Sequence, residues 1–134
     1  MLRSPILLGA RDQRERITRI AAARIMVGST VGVSTTVAGK VFGAPPDQLT
    51  ATARLVARLF AVRNCVLGAW TLSIRDAEPG EQRRCFQFNA AVDIADLVIV
   101  LAYLRHRGLR RAAFMSAVLA ASATAAWFEL LQQD

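Results

Sequence analysis

The sequence predicts an all-α protein, a four-helix up-and-down transmembrane bundle preceded by a short N-terminal arm. Three observations predict it. Apolar segments recur at regular intervals over residues 17–42, 50–74, 86–104 and 112–131, each near the roughly 20 residues that cross a bilayer core. Turn formers stand between them: Gly43-Ala44-Pro45-Pro46-Asp47, then Asp76-Ala77-Glu78-Pro79-Gly80-Glu81, then Arg105-His106-Arg107-Gly108. Connections this short make sequence neighbours antiparallel. Finally, 54% of the 134 residues are hydrophobic and the mean hydropathy is +0.33.

The arm covers residues 1–16. It opens like a secretory leader, but its apolar run is short and passes into the charged stretch 11–19, so the sequence reads as a retained cytoplasmic or interfacial arm. Asp12-Gln13-Arg14-Glu15 matches a capping box that starts a helix within it.

The first and fourth segments decide between lipid and water. Arg24, Lys40, Arg54, Arg58, Arg63, Asp93, Asp96 and Glu129 interrupt the hydropathy, which keeps a soluble helical bundle as a rival. Residues 25–39 and 112–128, however, carry no charge on any face, whereas a water-facing helix needs a polar outer stripe. Both stretches offer small residues for close helix approach. Gly28 and Gly32 form a GxxxG pair, and Ala113, Ala117 and Ala121 recur every four residues. In lipid such contacts are a main source of helix attraction.

The second and third segments hold the candidate site. Asn89, Asp93 and Asp96 fall on one helical stripe that continues through Val100 to Tyr103. Opposite them the second segment offers Arg63 and Asn64, with Arg54 and Arg58 nearer its start, placed to snorkel toward headgroups. With a hairpin turn at Pro79-Gly80, residues whose numbers sum to about 159 share a depth, as Arg63 and Asp96 do and Asn64 and Asp93 nearly do. The same construction about Pro45-Pro46 sets Arg24 level with Leu67, about one turn, or about 6 Å, from Arg63. Charges scattered along the chain thus fold to one buried polar layer: Arg24, Arg63, Asn64, Asn89, Asp93, Asp96 and Tyr103. Charges at that depth must face inward and pair. The layer serves either to lock helix register or to hold a ligand.

The net charge of +7 comes from sixteen arginines and one lysine against ten acids. The cations cluster beside the apolar segments, which suits membrane lipids and excludes a nucleic-acid groove, since neither a basic aromatic face nor a binding motif is present. An Arg-for-Lys bias this strong also fits a GC-rich bacterial genome. Two cysteines, Cys65 and Cys85, and the single His106 make no metal or haem ligand set, so no cofactor is expected. Phosphate loops, nucleophile elbows and Ser/His/Asp sets are also missing from the sequence. Eight arginines flank the arm and middle turn against five cations on the other side, which points to a plasma (inner) membrane protein with a cytoplasmic N-terminus.

Three stretches carry a resemblance. Ala23-Arg24-Ile25-Met26-Val27-Gly28, Ala61-Val62-Arg63-Asn64-Cys65-Val66-Leu67-Gly68 and Asp93 resemble small four-helix membrane proteins of bacteria, actinobacterial in kind, broadly DoxX-like in shape. The resemblance implies an Arg on helix two and an Asp on helix three, matching Arg63 and Asp93, and brings no reaction with it. The functions expected are a binder of a lipid, quinone or other amphiphile, or an accessory subunit within a homo-oligomer or larger membrane complex. The alternatives are a membrane isomerase or cyclase using Asp93 or Asp96 as general acid with Arg63 stabilising negative charge, and a small oligomeric transporter or proton path.

Overall fold

The computed structural model describes residues 4–132, which are all-helical with no strand among them. Five α-helices follow in order: α1 (Gln13–Val33), α2 (Thr35–Phe42), α3 (Ala51–Ser73), α4 (Pro79–Tyr103) and α5 (Arg110–Leu131). Short 3-10 turns at Pro5–Leu7 and Pro46–Gln48 precede α1 and α3. Residues 1–3 of the expected arm lie outside the described residues.

Helix ends follow local chemistry. Asp12 Oδ1 accepts from the Glu15 N–H at 2.7 Å and Glu15 Oε2 accepts from the Arg11 N–H at 2.9 Å. These bonds start α1 at Gln13, so the helix rises out of the arm without a break. The rest of the described arm is strapped down: Ser4 is fully buried, its hydroxyl donating to the Ser122 carbonyl at 2.9 Å and its N–H to Glu129 at 3.2 Å. Thr50 caps α3 by accepting from the Ala53 N–H at 3.2 Å. Pro79 opens α4 in the first turn, where a missing N–H costs nothing. The expected start at residue 86 was late because Arg83 and Arg84 hide the helical turn in a charged stretch.

The first apolar segment, expected as one helix over residues 17–42, is two. Its axis bends by 118° between α1 and α2. Ser34 makes the break. In an extended conformation it donates its N–H to the Thr30 carbonyl at 3.2 Å, closing α1, while its hydroxyl accepts from the Val37 N–H at 3.2 Å, opening α2. A serine here competes successfully with the helical ladder because its neighbours Val33, Thr35 and Thr36 include β-branched residues of modest helix preference. Gly43, at φ 75°, ends α2 in the left-handed conformation.

Three helices, α3, α4 and α5, are long and apolar enough to cross a membrane, and a fourth span results if α1 and α2 count as one bent element. Pairing among them departs from the hairpin expected of helices two and three. α1 packs along α3, and α4 along α5, whereas α3 and α4 touch little despite their short link. Glycine explains the first pair. A Cβ on Gly28 would stand 2.7 Å from both the Ala61 carbonyl oxygen and Cys65 Sγ, and one on Gly68 would stand 2.7 Å from Ile25 Cγ1 and 3.0 Å from the Ala21 carbonyl. Gly32 is looser, its added Cβ 3.4 Å from that of Ala61. In α5, Ala113 and Ala117 are buried but Ala121 is exposed. A strict four-residue repeat drifts about 40° per step around a helix of 3.6 residues per turn, which carries Ala121 out of the interface and brings Ala126, Trp127 and Leu130 into it.

The dense core sits at one end. Ile17, Ile20, Ile74, Phe86, Trp127 and Leu130 fill the space beside the arm and the α3–α4 link. The outer surface is apolar: Met26, Leu59, Val62, Val66, Val98 and Phe114, among others, are exposed. A belt of large apolar side chains this extensive is foreign to water-facing monomers.

Candidate functional site

Arg24, on α1, is the centre of the polar layer. Its Nη1 donates to Asn64 Oδ1 at 2.7 Å and its Nη2 to Asp93 Oδ1 at 2.7 Å. All three residues are buried, and α1, α3 and α4 contribute one each. The side chain of Arg24 covers the offset expected between its level and that of Asn64. A fourth residue comes from α5: Trp127 donates its indole N–H to Asp93 Oδ2 at 2.6 Å. Its ring also lies 5.8 Å from the Arg24 guanidinium carbon and stacks on Phe86 at 6.0 Å. Asn64 in turn donates an amide N–H to the Phe60 carbonyl at 2.9 Å. Every long helix therefore supplies one member of a hydrogen-bonded set in which both carboxylate oxygens are occupied.

Arg63 and Asp96 form a second ion pair, bridging α3 and α4. It is less enclosed, with Arg63 40% and Asp96 22% exposed. The Arg63 guanidinium lies 5.3 Å from the Phe60 ring. Asn89 belongs to a separate small cluster, donating to Thr71 Oγ1 at 3.4 Å and to the Cys85 carbonyl at 2.9 Å. Its Oδ1 is buried without a partner. Cys65 and Cys85 are free thiols.

Tyr103 does not join the layer. It is 49% exposed at the last turn of α4 and stacks on His106 at 6.1 Å. The stripe through Asn89, Asp93 and Asp96 reaches Tyr103 on paper, but ten residues past Asp93 is about 15 Å along the axis, at the helix end. Arg54 and Arg58 are exposed in the first turns of α3, where they can reach headgroups.

Beside the layer lies a cavity of about 360 Å³, within the range of small-molecule sites. Its lining runs from Ile20 to Val31 in α1, from Ala53 to Asn64 in α3, from Asp93 to Val100 in α4 and from Ser116 to Ala123 in α5. α2 closes it with Ala38, Gly39 and Phe42. Most of the wall is apolar, including Val27, Val31, Phe60, Ile99 and Leu119, while Arg24, Asn64, Asp93 and Asp96 gather near one end. Alongside the cavity α3 and α4 touch little, and α2, bent by 118° from α1, contributes to its wall.

Sequence reasoning missed two parts. Trp127 stands in an apolar run two residues before Glu129, a position that gives no sign that it faces Asp93. Gly68, three positions beyond Cys65, carries the α1 contact as much as the GxxxG pair does. No family model, curated protein or solved structure matches the chain.

Proposed function

We propose that this chain is a multi-pass membrane protein whose antiparallel spans enclose a binding site for an amphiphile. The tail lies along the apolar wall and the head meets the Arg24, Asn64 and Asp93 layer. The observation that carries the reading is the cavity itself, apolar over most of its lining and polar near one end where three helices converge. A layer serving only to lock register gains nothing from an adjoining space of about 360 Å³. The apolar outer belt and the three or four helices of spanning length support a bilayer setting. The arginine balance favours the plasma (inner) membrane with the N-terminus in the cytoplasm, and DoxX-like four-span proteins supply an analogy of shape.

Binding is favoured over catalysis by the state of Asp93. With one oxygen accepting from Arg24 and the other from Trp127, it is placed as a hydrogen-bond acceptor and not as the proton donor that the general-acid role requires. The chain thus reads as a carrier or accessory subunit of a larger assembly. The test is to purify it from membranes in mild detergent and identify co-purifying small molecules by mass spectrometry. An amphiphile near equimolar with the chain, lost when Ala120→Phe fills the cavity, is expected. Identical lipid content in both proteins defeats the reading.

A further inference from the structure

We infer that the cavity selects an amphiphile whose head is uncharged and offers an oxygen acceptor, as a fatty alcohol or monoacylglycerol does, and rejects anionic and cationic heads. This rests on the cavity reading above and deepens it.

Charge balance is the first argument. Two guanidinium groups, Arg24 and Arg63, face two carboxylates, Asp93 and Asp96, and each cation already bonds one of them. The layer is formally neutral before any ligand arrives. An anionic head at Arg24 either displaces Asp93, leaving that carboxylate buried with only Trp127 for a partner, or adds to the existing pair a negative charge with no free cation to balance it. A cationic head at Asp93 either takes it from Arg24 and strands the guanidinium, or adds a positive charge with no free carboxylate to balance it. In a low-dielectric interior a stranded charge is more costly than the new contact is favourable.

Residual hydrogen-bonding capacity is the second. A guanidinium has five N–H donors, and Arg24 directs one to Asn64 and one to Asp93 while its Nε has no partner. Asn64 Oδ1 and both Asp93 oxygens already accept a bond each, and Asn64 keeps one amide N–H beyond the one it donates to Phe60. What the buried end can still provide is donors, and what it lacks is a free charge. Hydroxyl, ester and ether oxygens meet that demand without disturbing the pairs. Among the described residues, the one cation on the wall outside these pairs is Arg54, which sits ten residues from Asn64 along α3, about 15 Å away, and is exposed. Its place is the mouth, not the head site.

The experiment uses the full chain in phosphatidylcholine nanodiscs with a dodecanol carrying a photoreactive diazirine in its tail. Competitors of equal tail length are added at equal membrane mole fraction: dodecanol, monododecanoylglycerol, dodecylsulfonate and dodecyltrimethylammonium, whose charges do not titrate. Labelling is expected on peptides containing Phe60 or Leu119 and is lost in Ala120→Phe and, as a second blocking variant on another helix, Ala57→Phe. The two uncharged competitors should displace the probe at least tenfold better than the two charged ones. Equal or better competition by dodecylsulfonate overturns the head-group inference while leaving the binding cavity standing. Labelling that neither blocking variant reduces, or no specific labelling at all, overturns the cavity reading itself.

Discussion

Trp127 closes the carboxylate oxygen of Asp93 that Arg24 leaves open, its indole nitrogen 2.6 Å from Oδ2. The contact joins α5 to α4 at the depth where α1 and α3 already meet through Arg24 and Asn64. Because both partners are buried and the acceptor is ionised, the bond is of the stronger class, about 1.5–3 kcal/mol. Trp127→Phe keeps a ring against Phe86 and removes only the donor. Unfolding in detergent should show a loss of that size, and an unchanged midpoint would show that the indole bond adds no stability.

Arg24 and Asp93 should behave as a coupled pair. Removing either alone, as Arg24→Met or Asp93→Leu, strands a charge of which only 7% of the side-chain surface is exposed, a destabilisation of about 3–5 kcal/mol. Removing both leaves an apolar pair and should recover much of the loss. A double-mutant cycle measures this. Additive single effects would contradict the coupling.

The α1–α3 contact is set by backbone proximity. An alanine Cβ at position 28 would meet backbone and sulfur at 2.7 Å, so Gly28→Ala must push α3 away and should cost about 1–3 kcal/mol. Gly68→Ala should do the same from the other helix. Gly80 has open space around its would-be Cβ, and Gly80→Ala is the control that should leave stability unchanged or slightly higher. If all three variants unfold alike, the two helices are not held at glycine distance.

These three tests fall on residues that were unequally visible in the sequence. Apolar length and turn residues located α3 and α5 to within about two residues, because those properties are local. The depth relation between Arg63 and Asp96 was legible as well, since one short link at Pro79-Gly80 determines it. Lateral neighbours were not. Which face of α5 turns toward Asp93 depends on the combined packing of Ala113, Ala117 and Phe86, and a four-residue alanine repeat mistakes a drifting stripe for a fixed one, as Ala121 shows. The break at Ser34 was hidden for another reason. A serine inside an apolar run has the same appearance whether it bonds back to its own helix or caps the next, and here it caps α2, whose Ala38, Gly39 and Phe42 line the cavity.

The exposed belt provides the sharpest test of a bilayer setting against a water-soluble bundle, because the two predict opposite signs for one substitution. Val66 lies within α3 and is 61% exposed. In water, Val66→Lys replaces an exposed apolar group with a charged one and should be neutral or improve solubility. In lipid the same change sets a charge near the middle of a span, costing about 2.5–3.5 kcal/mol on insertion scales. α3 has little margin for this, since its span already carries Arg54, Arg58 and Arg63. The expected outcome is a marked fall in membrane-inserted protein, read as the alkaline-carbonate-resistant fraction, with Val66→Leu unaffected. Soluble, folded Val66→Lys protein in the supernatant would remove the membrane from the account and, with it, the lipid source of the proposed ligand.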